Sequence, residues 1–206
     1  MKIGWASMGD LLPDPITGEL MTQAERHRML VDGAVAAEEA GFWCASLGEH
    51  HFCSYVISAP PVVLASMAER TSRIRLGTAV ALGANNDPIR LAEDYATLDV
   101  LSGGRVELVI GRGNLYEHTY EAFGQDPTLS RPMYEERVSL LVQALREEQL
   151  DWSGEFRSPF RNFTTQPRPL QKTVPIWVGG GSSIDSVEYA ARMGLPLMLP
   201  GVFGPP

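Results

Sequence analysis

Three short clusters hold the residues of this 206-residue chain best suited to chemistry. In the first, Gly48-Glu49-His50-His51-Phe52, two imidazoles and a carboxylate gather. A histidine there can act as a general base or acid near neutral pH. A structural histidine–carboxylate hydrogen bond accounts for the same residues, as does a metal site, although adjacent histidines on an extended segment point to opposite faces and rarely share one ion. In the second cluster, Gly111-Arg112-Gly113-Asn114, glycines flank a guanidinium that can grip phosphate in bidentate fashion. An ion pair with one of the 25 acidic residues is its other reading. The third, Gly179-Gly180-Gly181-Ser182-Ser183-Ile184-Asp185-Ser186, sets hydroxyls and backbone N–H groups at a helix start. That is the makeup of an anion site, or with Ser182 of an ordinary N-cap. Two phosphate-seeking elements together point to a phosphorylated cofactor.

Each cluster follows a predicted strand. Residues 2–8 read as a short apolar strand, and the Pro, Gly and Asp of 9–19 force a loop. Thr22 and Glu25 form a capping box heading a helix that runs to Ala40 and stops at Gly41. A second strand spans 42–50, and Pro60 and Pro61 sit in the first turn of a helix ending near Arg70. Residues 73–82 read as one buried strand, after which Asp87 and Pro88 are N-cap and first residue of a helix through Leu101. The fourth strand is 105–111, and its helix, 132–148, carries Tyr134, Val138, Leu141 and Leu145 on one face. Residues 150–171 read as an inserted hairpin, because Ser153-Gly154 turns and the prolines forbid a helix. A fifth strand at 175–180, a helix at 182–193 closed by Gly194, and a sixth strand at 195–199 follow.

Strands alternating with helices imply a parallel sheet covered by helices. An open doubly wound sheet fits this alternation too, but no glycine fingerprint follows the first strand to support its dinucleotide-binding version. The expected architecture is a TIM (β/α)8-type barrel with about six units present, a single domain over 1–206 that is C-terminally truncated, since a complete barrel typically takes about 250 residues. In such a barrel the loops at the C-terminal ends of the strands build the site, and all three clusters lie there.

Bulk composition narrows the partners. With 17 basic against 25 acidic residues, a net charge of −8, binding to nucleic acid or an anionic membrane through bulk charge is disfavoured. No stretch of about 18 uninterrupted apolar residues offers to span a bilayer. The N-terminus lacks the charged, apolar and small-residue layout of a secretory signal. Cys44 and Cys53 are too few for a disulfide framework and fit neither a zinc knuckle nor a CxxC pair. A reducing cytoplasm is the expected setting.

In the order GEHHF, GTAVALGANNDPIRLAEDYATLDVLSGGR, IGRGNLYEHTYEAFG, PRPLQ and PIWVGGGSS, the whole chain resembles the bacterial luciferase-like family of flavin-dependent monooxygenases and oxidoreductases. The resemblance implies a barrel that binds reduced FMN, or in some branches the deazaflavin F420, and holds no metal. It implies a reaction in which reduced FMN and O2 oxygenate a small organic substrate, with a flavin reductase as partner and a homodimer formed through helices of the first half. F420-dependent hydride transfer and a non-catalytic, shortened flavin binder are the alternatives. His50 matches the catalytic histidine beside the flavin ring. Ala79 and Val80 match a pair joined by a non-prolyl cis peptide that supports the ring. Arg112 and Asn114 match phosphate contacts, the latter through its backbone, and Ser182, Ser183 and Ser186 match contacts at the helix start. Gly111 stands where some relatives carry a reactive cysteine, so no thiol role is implied.

Overall fold

The computed structural model describes residues 1–113, 117–180 and 183–199. Four consecutive units open the chain as β1 (Gly4–Ser7), α1 (Gln23–Glu39), β2 (Cys44–Leu47), α2 (Pro60–Arg70), β3 (Arg75–Thr78), β4 (Ala81–Leu82), α3 (Pro88–Leu101) and β5 (Val106–Gly111). There follow α4 (Glu117–Ala122), a short 3₁₀ turn, α5 (Ser130–Arg146), the pair β6 (Leu150–Trp152) and β7 (Phe160–Phe163), then β8 (Ile176–Gly179), α6 (Ile184–Met193) and β9 (Leu197–Met198).

Local sequence accounts for most of these boundaries. The Thr22 hydroxyl accepts the Glu25 N–H while the Glu25 carboxylate accepts the Thr22 N–H, so two orphan donors of α1 are satisfied reciprocally. Asp87 accepts N–H groups of Ile89 and Arg90 at the head of α3, and Pro88 occupies a position whose N–H would have no helical partner. Tyr134, Val138, Leu141 and Leu145 are all buried on one face of α5. That helix begins at Ser130 rather than near Pro132.

Among the described residues every pair in the main sheet is parallel, in the order β1-β2-β3-β5-β8-β9, with β4 also on β5. Neighbouring helices pack side by side along it, α1 on α2, α2 on α3 and α3 on α5. This is the curled sheet of a TIM-type barrel, with six strand positions filled among the described residues. Registers align the strand ends: Ser7 sits beside Leu47, and Leu47 beside Thr78. The residues that follow, Met8, Gly48 and Ala79, are thereby brought to one rim. The pair β6–β7 is antiparallel and separate from the main sheet.

Two expectations change. The single strand at 73–82 is two, β3 and β4, with the cis Ala79-Val80 peptide between them. A helix, α4, occupies residues between β5 and α5 where no helix was expected.

Polar side chains tie together the opposite, N-terminal ends of the strands. The Arg105 guanidinium donates to the carbonyls of Ala68, Thr71, Ile74 and Ser102 and to the Thr71 hydroxyl, which satisfies carbonyls left over at the end of α2. Buried Asp99 accepts the backbone and side-chain N–H groups of Gln171, and Gln171 donates in turn to the Val106 carbonyl. Glu38 collects the N–H groups of Ser72, Arg73 and Ile74. Burial alone would raise its carboxyl, but these bonds and the Arg73 charge pull it down to about 2.

Candidate functional site

The floor of the mouth is made by glycines. The Val80 side chain leans onto β5 and β8, where a Cβ on Gly111 would lie 2.5 Å from Val80 Cγ2 and one on Gly179 would lie 2.7 Å from Val80 Cγ1. Neither position accepts a side chain while Val80 stays where it is, so a cysteine at position 111 is sterically excluded. At the end of β2, a Cβ on Gly48 would meet Met8 Sδ at 2.5 Å and the Ala79 carbonyl oxygen at 3.3 Å. The glycines of three strand ends thus let Val80 and Met8 pack closely around the Ala79-Val80 backbone, which is anchored through Ala79 N–H to Leu47 O and Glu49 N–H to Val80 O.

Above this floor the charged and aromatic groups divide. Glu49, only 5% exposed, is a hub. Its Oε2 accepts the Leu82 N–H at 2.9 Å, and its Oε1 accepts Asn86 Nδ2 at 2.9 Å and lies 2.9 Å from His51 Nε2. The carboxylate therefore joins the loop after β2 to the segment after β4, and the histidine–carboxylate pair of the first cluster is Glu49 with His51. His50 turns the other way, its ring stacked on Tyr55 with centroids 4.4 Å apart and 19° between planes. Burial holds the His50 imidazole below the ordinary histidine value, against the Gly48 backbone hydrogen bond and the Glu49 charge, which pull upward. His50 and His51 both line a cavity of about 530 Å³ with Phe52, Tyr55 and Phe123. Among the described residues, no group of three or more His, Cys, Asp or Glu side chains is placed to hold a metal ion.

Beyond Gly111 come two cationic side chains, Arg112 and Arg131. The Arg112 guanidinium donates to the Ser130 hydroxyl at 3.4 Å, and the Arg112 carbonyl accepts from the Tyr120 hydroxyl at 2.7 Å. Among the described residues the Arg112 guanidinium pairs with no carboxylate. Arg131, in the first turn of α5, reaches across to the head of α6, where it donates to Ser183 Oγ at 3.3 Å and lies 3.4 Å from Asp185 Oδ2. Ser183 is the N-cap of α6, yet its hydroxyl faces Arg131 and makes no cap bond. Ser186 lies in the first turn, its N–H donating to the Ser183 carbonyl. Asn114 and Ser182 lie outside the described residues. Arg131 escaped the reading of the sequence; the signal available was a basic residue in Ser130-Arg131-Pro132, at the start of a helix that follows Arg112's strand.

A mouth built from loops at the C-terminal ends of parallel strands defines a β/α-barrel protein with its working groups on the usual face. Over residues 1–206 the chain matches the model for luciferase-like monooxygenases, and it belongs to that family. It is 30% identical over 181 residues to the alkanal monooxygenase alpha chain of the Kryptophanaron alfredi symbiont, covering 87% of this chain and 50% of that one. The oxygenase component of the flavin-dependent trigonelline monooxygenase of Acinetobacter baylyi is 30% identical over 177 residues, with coverages of 84% and 48%. The crystal structure of monooxygenase RslO1 from Streptomyces bottropensis superposes with a TM-score of 0.89 at 30% identity, covering all of this chain and 61% of that one. As fold alone, the likeness extends to an F420-dependent secondary alcohol dehydrogenase, at 17% identity and a TM-score of 0.75, covering 96% of this chain and 57% of that one. The chain spans about half the length of the curated relatives it matches. Among the described residues no helix is long and apolar enough to cross a membrane.

Proposed function

We propose that this chain forms the flavin-binding face of a monooxygenase that uses reduced FMN and O2 to oxygenate a small organic substrate. One arrangement carries the reading: a grip of Arg112, Arg131 and Ser183 begins one residue beyond Gly111, which itself packs against Val80. A flat ring fits against the half-buried Ala79-Val80 segment, and a phosphate fits two guanidinium groups, a hydroxyl and a helix start beside it. Asn114, Ser182 and Ser186 complete the phosphate contacts in this reading. Reduced FMN supplies two electrons to O2, so that one oxygen atom enters the substrate and the other leaves as water. His50, kept neutral by its burial, accepts a proton at the substrate and returns it. Glu49 positions His51 beside it and closes the wall against water.

The measurement that tests this is flavin binding, followed by fluorescence quenching, with FMN and riboflavin compared. Replacing Arg112 or Arg131 with Ala should weaken FMN about tenfold or more, in line with the loss of a charge-assisted contact, and leave riboflavin unchanged. Equal affinities for FMN and riboflavin in the unmodified chain would sink the phosphate grip.

The fold likeness to an F420-dependent dehydrogenase favours a second reading, hydride transfer with F420 on the same face. Competition of F420 against FMN separates the two. The rest of the functional proposal is a homodimer through the outer faces of α1 and α2, where Met29 and Val62 are exposed, a flavin reductase as electron source, and work in the cytoplasm.

A further inference from the structure

The cavity beside His50 holds about 530 Å³, within the roughly 300–1,000 Å³ of small-molecule sites. Its wall is the segment after β2, closed by the loop after β1 on one side and by Phe123, just past α4, on the other. Among the described residues no Asp, Glu, Lys or Arg side chain lines it. A charged molecule entering would lose hydration and meet no opposite charge, so an uncharged occupant is favoured.

The rings in this wall are arranged with both faces and edges available. His50 stacks on Tyr55, while Phe123 meets His51 edge-on at 5.0 Å and 82° and Phe52 at 5.5 Å and 61°. Phe52 has a φ of 56°, a left-handed conformation that bulky residues seldom take, and its side chain remains 59% exposed. Phe123 is 42% exposed. Two phenyl rings kept at a cavity mouth forgo burial that an apolar ligand would restore. Edge and face contacts reward an aromatic ligand beyond its buried area, a gain that an alkyl chain does not collect. The Ser54 and Ser58 hydroxyls in the same wall offer hydrogen bonds to an oxygen substituent.

We infer that this cavity is the substrate site and that it takes an uncharged aromatic bearing a hydroxyl or keto oxygen, selected by Phe52 and Phe123. The inference deepens the monooxygenase reading and rests on it for the reaction, though binding at the cavity requires no flavin. Calorimetric titration of the flavin-free chain with naphthol, naphthoate and decanal tests it. Naphthol should bind about tenfold tighter than either of the others, and Phe52→Leu or Phe123→Leu, which keep apolar bulk without the ring, should each weaken naphthol roughly fivefold. Melting curves of the two variants should match the parent, because both side chains are exposed. Naphthoate or decanal binding as tightly as naphthol would overturn the inference, as would leucine variants that retain full naphthol affinity. Naphthol selectivity in a chain that binds no FMN would overturn the flavin reading while upholding the aromatic class of the cavity. FMN binding without naphthol selectivity would do the reverse.

Discussion

The two ends of the sheet obey opposite rules. At the N-terminal end, long polar side chains are used up on the protein itself: Arg105 has five partners, Asp99 holds Gln171, and Glu38 collects three backbone N–H groups. At the C-terminal end, glycines let Val80 pack against the strand ends, Arg112 reaches the Ser130 hydroxyl, and Arg131 reaches the Ser183 hydroxyl and the carboxylates of Glu135 and Asp185. Buried polar groups with every bond satisfied rigidify a structure, whereas groups left with spare bonding capacity are available to a ligand. The self-satisfied polar network lies at one end of the barrel axis and the candidate site at the other, as the fold's architecture allows.

The strongest challenge to this division is Arg105→Ala, which removes five hydrogen bonds at the closed end. It should cost about 3 kcal/mol in urea unfolding and leave flavin affinity unaltered in the folded fraction. Coupled loss of flavin affinity would show that the ends are not separable. Gly111→Ala addresses the open end: the new methyl meets Val80, so stability should fall about 2 kcal/mol and FMN affinity with it. Pairing it with Val80→Ala should recover most of the stability if that contact is the cause.

Acid titration sharpens the contrast further. Glu38 lies well below its ordinary 4.5 in the folded chain, so its contribution is present above that pH and is lost as pH falls toward about 2. Glu38→Gln should therefore cost about 1 kcal/mol at pH 7 and nothing near pH 2. His50 acts earlier. Its folded value lies below the ordinary 6.5, so the unfolded chain takes up the proton first and stability begins to decline as pH drops through 6.5. His50→Asn should flatten that upper portion of the profile and leave the Glu38 portion in place. The smallest expected effect is at Asp185, which shares Arg131 with any incoming phosphate. Asp185→Asn should tighten FMN about threefold, an amount in keeping with an exposed pair, and the gain should shrink at high salt.

Local chemistry made much of this legible in advance. The capping box at Thr22, the Asp87-Pro88 start and the apolar face of α5 act through residues within about three turns of one another, so their outcomes follow from spacing. The glycine clusters marked the ends of β2, β5 and β8 for the same reason. Harder to read were groups whose meaning depends on a partner far along the chain. Arg131 acquires its place only when α6 comes beside α5, 52 residues away at Ser183. Glu49 could have bonded either histidine, and its choice of His51 follows from the Leu82 N–H and Asn86 amide that fix the carboxylate from another loop. The break between β3 and β4 left no mark in hydropathy, since both pieces are buried.

By itself, then, the sequence determined the alternation of strands and helices, the parallel sheet that alternation requires, and the end of the sheet where its three candidate clusters lie. Periodicity, capping and crossover geometry are short-range constraints, and they suffice for that much. Only the tertiary structure decided which groups meet: Val80 on Gly111 and Gly179, Arg131 with Ser183, Glu49 with His51, and a charge-free aromatic cavity beside His50. Those meetings depend on strand register and helix packing, which bring together atoms that no local spacing relates.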